Sequence, residues 1–290
     1  MYGRHLTLTA GCKINLTLRI TGRREDGYHT LESLFLPLRS PCDTITVTPA
    51  PGTGNFSLTC SDPALSKSGN LLELAYMAYA RRTGFSPSLA VHLQKNIPYG
   101  AGLGGGSSDA AAFLRYLNNS AQENTVGSLS EEELRKLAVG LGADVPFFLL
   151  NRPANVTGIG DILQEIDNPV AGLHIVLICP NIHVSTPWAF AEWDKKNDKN
   201  HERGLTSGQE QDTSPFVCGI CVQNDLRDVV FGQYPQLGQI IDLLHRHNAL
   251  AAEMSGSGSS IFGLFTMEAD AAEAVMQCKN EGLLVFSHRL

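Results

Sequence analysis

The residues with the clearest chemical potential lie at 98–112, Pro98-Tyr99-Gly100-Ala101-Gly102-Leu103-Gly104-Gly105-Gly106-Ser107-Ser108-Asp109-Ala110-Ala111-Ala112. Five glycines within seven positions run into two hydroxyls and an alanine-rich helix start. Glycine turns through positive φ and lacks the Cβ that keeps a ligand off the backbone. A helix opening at Ser107 or Ser108 aims N–H groups and a partial positive charge at whatever precedes it, which suits phosphate. The segment reads as a polyphosphate cradle. It is not a Walker A loop, which needs Gly-Lys-Ser/Thr at the helix entrance, and position 107 breaks the dinucleotide pattern begun by Gly102-Leu103-Gly104. Glycine–serine runs also make linkers. Here a strand-like stretch at 89–93 and a helix-like one at 110–114 flank the run, which favours structure.

Four other places hold candidate chemistry. Lys13 stands inside an apolar strand, where a buried ammonium needs a partner, although an outward-facing strand lysine is the ordinary alternative. Asp144 sits between a helix end and the apolar run Val145-Pro146-Phe147-Phe148, as a turn former or as a carboxylate able to act as a general base. Residues 254–262 form a second glycine–serine loop, Met254-Ser255-Gly256-Ser257-Gly258-Ser259-Ser260-Ile261-Phe262, a simple hairpin or a second wall of a phosphate site. The polar, glycine-bounded loop 22–29 ends on Tyr28 and His29, side by side.

The elements that must position these groups alternate. Residues 6–18 read as a strand interrupted at Gly11, with further strands at 31–38 and 44–48 and a break at Pro49-Ala50-Pro51-Gly52. Asn70 is a good N-cap for a helix over 71–83, with Gly84 to end it. Ser130 and Glu133 form a capping-box pattern for a helix through Ala138, closed by Gly140-Leu141-Gly142. Beyond residue 160 the spacing predicts strands at 173–178, 251–254, 261–265 and 283–287, with helices at 236–246 and 269–280. That order, β…αββαβ, suits a ferredoxin-like sandwich. The polar, non-periodic 194–215 reads as a loop, and the domain boundary falls between about 153 and 170.

Composition limits the partners. The 290 residues are 43% hydrophobic and 18% charged, a globular chain of two domains or one large one. The net charge is −7 with no long basic run, which argues against nucleic acid or an anionic membrane as partner. The amino terminus lacks the apolar core of a signal peptide, and no segment is long enough to span a bilayer. Of seven scattered cysteines only Cys218 and Cys221 form a C-x-x-C, with no second pair to complete a zinc site, so the expectation is a cytoplasmic protein with reduced thiols.

In order along the chain these segments resemble the GHMP kinase superfamily, with its lysine-bearing first strand, its P-x-x-x-G-L-G-G/S-S-S loop and its carboxy-terminal glycine–serine loop. Lys13-Ile14-Asn15-Leu16, Ile20-Thr21-Gly22-Arg23-Arg24-Glu25-Asp26-Gly27-Tyr28-His29, the run 102–111 and Gly142-Ala143-Asp144-Val145-Pro146 look like the branch that phosphorylates a cytidine-diphosphate-linked methylerythritol. The Asp26-Gly27-Tyr28-His29 element is the discriminating one. The match spans essentially the whole chain, least well at 194–215. Departures are Asp161 where glutamate is usual, and Ser259-Ser260 where proline–threonine is common.

The resemblance implies an α+β, two-domain fold: a ribosomal-S5-like, ATP-binding domain at 1–160 and a ferredoxin-like domain at 161–290, with the active site in the cleft between them. It implies transfer of the ATP γ-phosphoryl to the tertiary 2-hydroxyl of that substrate, a step of the non-mevalonate route to isoprenoid precursors. Asp144 matches the family's base and Lys13 its catalytic lysine. ATP would lie on Pro98, Tyr99, Gly100, Ala101, Gly102, Leu103, Gly104, Gly105, Gly106, Ser107 and Ser108, with Asn70 and Lys95 nearby. Mg²⁺ is implied as the partner of ATP, within reach of Ser108 or Asp109, although no dedicated cage is visible. Asn15 and Thr186 would touch the substrate, Tyr28 would stack on the cytosine, His29 would bond its polar edge, and Phe190 would oppose Tyr28. A homoserine or mevalonate kinase of the same superfamily would share the phosphate loop without the Gly-Tyr-His element. An S5-like RNA-binding module is opposed by the acidic balance, and a catalytically dead nucleotide sensor by the presence of both Lys13 and Asp144.

Overall fold

The computed structural model describes residues 5–65, 69–202 and 215–290. The chain opens with strands β1 (Leu6–Arg23), β2 (His29–Pro49) and β3 (Phe56–Cys60), then helix α1 (Leu71–Thr83) and β4 (Leu89–Gln94). Helices α2 (Gly105–Glu123), α3 (Glu131–Val139) and α4 (Val145–Leu150) follow, then β5 (Ala154–Thr157), β6 (Ile162–Glu165) and β7 (His174–Cys179). Next come α5 (Thr186–Glu202), β8 (Phe216–Val217), β9 (Ile220–Cys221), β10 (Gln223–Asn224) and α6 (Arg227–Gln233). The chain closes with α7 (Gln236–Arg246), β11 (Ala251–Met254), β12 (Ile261–Phe265), α8 (Glu268–Asn280) and β13 (Leu284–Arg289).

These elements form two compact units. One comprises the residues up to Lys13, Pro37–Pro98 and Gly104–Arg152; the other comprises Ile14–Leu36, Tyr99–Leu103 and Pro153–Leu290.

In the first unit the far end of β2 pairs antiparallel with β4, from Thr44 opposite Gln94 to Pro49 opposite Leu89, and β3 pairs parallel with β4. Helix α1 is built as its sequence dictates. The Asn70 side chain accepts from Leu72 N, and Gly84 closes the helix at φ 76°. It packs on α2, where Phe113, Leu114 and Leu117 are fully buried, and the Tyr79 hydroxyl donates to Asn118 Oδ1 at 2.8 Å. The Ser130–Glu133 capping box opens α3, both of its reciprocal bonds being made.

In the second unit β1 pairs parallel with β10 at Thr17 and Leu18, and Ser33, Leu34 and Phe35 of β2 pair with β5. A separate four-stranded antiparallel sheet has the order β11-β12-β7-β13. The run Ile175-Val176-Leu177-Ile178 of the inner strand β7 is completely buried, which is why it is apolar without alternation. Helices α7 and α8 cover this sheet through Leu237, Ile240, Ile241, Leu244, Ala271 and Ala274. The order of strands and helices is that of a ferredoxin-like sandwich.

Several elements differ from the sequence reading. Gly11 does not interrupt β1; a Cβ there would lie 2.4 Å from the Leu38 carbonyl, so it is a glycine of close strand approach. The strands expected at 31–38 and 44–48 are one strand, β2. Helix α2 starts at Gly105, two residues ahead of Ser107. The expected loop from 194 is helical as far as Glu202, and 203–214 lie outside the described residues. Polar side chains there have partners: Lys195 meets Glu192 one turn earlier at 2.7 Å, and Lys196 meets Asp228 of α6 at 2.7 Å. Cys218 and Gly219 form the tight turn between β8 and β9, at φ 50° and 83°, and Cys221 ends β9 opposite Phe216.

Candidate active site

Lys13 and Asp144 meet within the first unit. Lys13 projects from β1 with its side chain 6% exposed, and its Nζ lies 3.6 Å from Asp144 Oδ2. The pair accounts for an ammonium in an apolar strand, because a buried charge persists only when compensated. Asp144 occupies the cap position of α4, yet its side chain makes no capping bond. Its carboxylate, 29% exposed, is therefore not consumed by the helix it precedes. Gly104 sits against the same group: a Cβ there would meet the Phe148 ring at 2.8 Å and Lys13 Cγ at 3.3 Å. A Cβ on Gly142 would lie 3.8 Å from Ser107 Oγ. The start of α2, the lysine and the aspartate-bearing turn thus converge.

The glycine run has the backbone its composition requires. Gly100, Gly102 and Gly104 all adopt left-handed φ, at 67°, 75° and 70°. Between them Ala101 and Leu103 are buried and anchor the loop, while Tyr99 is 70% exposed and stacks on His183 at 5.8 Å. Alternation of this kind turns successive main-chain N–H groups toward one side, a shape suited to anions. The second glycine–serine loop packs on the first within the second unit. Ser255 Oγ donates to Gly102 O at 3.1 Å, Ser260 N donates to Ala101 O at 3.2 Å, and a Cβ on Gly102 would reach Ser255 O at 2.1 Å. The 19-residue helix α2 leaves Gly105, Gly106, Ser107 and Ser108 as its first turn.

Lys95 lies under that turn, and a Cβ on Gly105 would be 3.3 Å from its Nζ. Its ammonium bonds Asp43 and also Asp109, the latter at 2.9 Å. Asp43 is fully buried and accepts from Asn96 N at 2.6 Å and Ile97 N at 2.8 Å. Asp109 Oδ1, by contrast, is buried with no hydrogen-bond partner. Burial, reinforced by the Asp43 carboxylate and opposed by Lys95, pushes the Asp109 carboxyl up to about 7. Burial alone would lower the Lys95 ammonium, but the two carboxylates together raise it. Asp109, one of two residues the resemblance put within reach of a nucleotide-borne metal, bonds Lys95 through Oδ2. The Asn70 side chain is engaged at both ends, its Oδ1 by Leu72 N and its Nδ2 by Leu65 O.

The remaining candidates belong to the second unit. Asn15 is buried; its Nδ2 donates to Ser33 Oγ at 2.9 Å and its N–H to Ser255 Oγ at 3.2 Å. Thr186 Oγ1 pairs with Ser257 Oγ at 2.7 Å. Tyr28 is 61% exposed at the turn from β1 to β2. The ring that Phe190 stacks on is His29, with centroids 4.8 Å apart. His29 Nε2 lies 2.7 Å from Asp194 Oδ1.

Sequence reasoning missed Asp43 and Asp194. An aspartate inside the alternating strand 42–48 carries the same signal as Lys13 in its strand, a charge where an apolar side chain belongs. Asp194 lay in a stretch taken for loop. Among the described residues no helix is long and apolar enough to cross a membrane, and no cluster of three His, Cys, Asp or Glu could hold a metal ion.

Comparison with known proteins converges on one family. The model for the GHMP kinases N terminal domain matches residues 70–152, and that for the GHMP kinases C terminal matches 196–282. A 4-diphosphocytidyl-2-C-methyl-D-erythritol kinase of Nitratidesulfovibrio vulgaris is 43% identical over 98% of this chain and 99% of its own. A protein of that name from Chlorobium phaeobacteroides is 39% identical over 97% and 94%. The crystal structure of a 4-(cytidine 5'-diphospho)-2C-methyl-D-erythritol kinase superposes with a TM-score of 0.75 at 30% identity, covering 97% of this chain and 98% of the other. A homoserine kinase from Cytophaga hutchinsonii, at 20% identity and TM-score 0.69, shares the fold. Identity sustained over the full length, on a backbone in which the lysine, the aspartate and the first turn of α2 meet, means that this chain belongs to the GHMP kinase family, among the 4-diphosphocytidyl-2-C-methyl-D-erythritol kinases.

Proposed function

We propose that this protein transfers the γ-phosphoryl of ATP to the 2-hydroxyl of 4-diphosphocytidyl-2-C-methyl-D-erythritol, with Asp144 as base and Lys13 as charge stabiliser. The 2-oxygen forms a bond to the γ-phosphorus as the bond from that phosphorus to the bridging oxygen breaks, and ADP leaves. The hydroxyl proton goes to the Asp144 carboxylate. Lys13, held by that carboxylate at 3.6 Å, offsets negative charge on the transferring group. Phosphoryl transfer needs positioning and charge stabilisation more than covalent help from the protein, and the main-chain N–H groups of residues 99–107 would supply the grip on ATP.

Mg²⁺ fits this donor set as a passenger on the nucleotide. An ion that keeps several waters and binds phosphate oxygens needs no protein cage, and the Ser108 hydroxyl in the first turn of α2 is the side-chain donor at hand. Bound there it would neutralise phosphate charge. In the same reading Asn15 and Thr186 contact the substrate, Tyr28 and His29 take its cytosine with Phe190 behind them, and Asn70 and Lys95 border the nucleotide. Residues 1–160 and 161–290 would be the two domains; the family models, matching 70–152 and 196–282, leave the junction between them.

The observation that supports this reading most is the Lys13–Asp144 pair beside Gly104. Asp144→Asn should lower kcat at least about 10²-fold, the scale of a lost general base, with ATP affinity near that of the parent. Turnover close to the parent's would remove Asp144 from the mechanism.

A further inference from the structure

His29 is fixed more firmly than a base-contacting side chain requires. Its side chain is 8% exposed, its face lies on Phe190 with planes 23° apart, and Trp193 meets it edge-on at 6.0 Å. Its Nε2 is 2.7 Å from Asp194 Oδ1. The other oxygen of that carboxylate, Oδ2, is held by Arg23 at 3.2 Å. An ionised carboxylate only accepts hydrogen bonds, so the imidazole hydrogen must sit on Nε2. In the neutral ring Nδ1 is then a bare lone pair, an acceptor and nothing else. Two aromatic contacts set the plane of the ring and the carboxylate sets its tautomer. Phe190, Trp193 and Asp194 all come from α5, so one helix delivers the whole setting.

We propose that Asp194 is a positioning residue that holds His29 as a hydrogen-bond acceptor, and so makes the site select a pyrimidine bearing an exocyclic amine over one bearing a carbonyl. The inference rests on the reading that His29 meets the base of the substrate. Cytosine presents an N4 amine donor, which satisfies a bare Nδ1. Uracil presents a carbonyl oxygen at that position, and two facing lone pairs repel while both lose their water. Without Asp194 the ring can move its hydrogen to Nδ1 and donate to that carbonyl instead.

Two measurements on the full-length protein test this. In the first, ¹⁵N-histidine-labelled protein is examined by NMR, with His29 assigned by loss of its signals in His29→Gln. The parent should carry its hydrogen on Nε2, and Asp194→Leu should shift population toward Nδ1–H. In the second, steady-state kinetics compare the cytidine-linked substrate with its uridine-linked analogue. The parent should prefer the cytidine compound, and Asp194→Leu should narrow that preference roughly tenfold, the size of one hydrogen bond, through KM rather than kcat. Asp194→Glu should restore it, and Arg23→Gln should leave it unchanged. An Nδ1–H or a doubly protonated ring in the parent overturns the proposal, as does an Asp194→Leu variant with undiminished preference. A parent without any cytidine preference would refute the cytosine reading itself, while the tautomer measurement still reports on Asp194; that measurement on the parent stands even if Asp194→Leu fails to fold.

Discussion

A carboxylate that takes a proton must not be spent on structure, and the acidic residues of this protein divide along that line. Asp144 stands at a helix cap without capping and faces one ammonium. Asp43 is spent entirely, on two main-chain N–H groups and Lys95. Asp109 is intermediate, bonded to Lys95 through one oxygen with the other unmatched. Its carboxyl, raised to about 7, holds a proton in the folded protein that the unfolded chain releases near pH 4. Its stabilising contribution is therefore full below about pH 4 and is lost as pH rises through about 7. Unfolding free energy from urea titrations at about pH 5 and about pH 8 should fall less between the two for Asp109→Asn than for the parent. Glu253, also raised to about 7, is common to both proteins and cancels in the difference. Parallel slopes would contradict the assignment. Lys13 was visible in the sequence because it breaks an apolar strand, and Asp144 because it stands alone between a helix end and an apolar run; the family resemblance supplied the roles of both. Asp43 breaks a strand pattern too, but its meaning depends on Lys95 and Asp109, which only the fold brings to it.

At the scale of elements, the glycine run at 100–104 is held by its left-handed glycines and by the loop packed on it. Gly102 needs both a left-handed φ and an absent Cβ, whereas Gly84 needs only the φ, with nothing within 4 Å of its Cβ position. Gly84→Ala should cost about 1–2 kcal/mol, the conformational penalty alone. Gly102→Ala should cost more and also raise the KM for ATP, because Ser255 O stands 2.1 Å from the new atom. Urea denaturation and initial rates check both; equal losses of stability with unchanged KM would mean that the second loop does not brace the first. Capped and periodic elements were legible: α1 and α3 by their caps, α7 by its spacing, β12 by its apolar run. The part of α5 from 194 onward was not, because a helical run rich in lysine, aspartate and asparagine has the composition of a loop. Gly11 misled for the opposite reason: a glycine can serve close strand packing as well as a break.

At the scale of the whole molecule, the net charge of −7 supplies no broad attraction for an anion, so the proposed function leaves the phosphates to local groups. The ferredoxin-like order of β7, β11, β12 and β13 was legible from their alternation with helices, whereas the meeting of residues 13, 104 and 144 needs a fold to be seen. Substrate choice is the property on which every level of the proposed function must agree. The most direct measurement is ADP release by the parent protein with ATP and Mg²⁺, offered 4-diphosphocytidyl-2-C-methyl-D-erythritol, homoserine or mevalonate in parallel. ADP should form at a substantial rate with the cytidine-linked compound alone; release with homoserine or mevalonate, and none with that compound, would contradict the account.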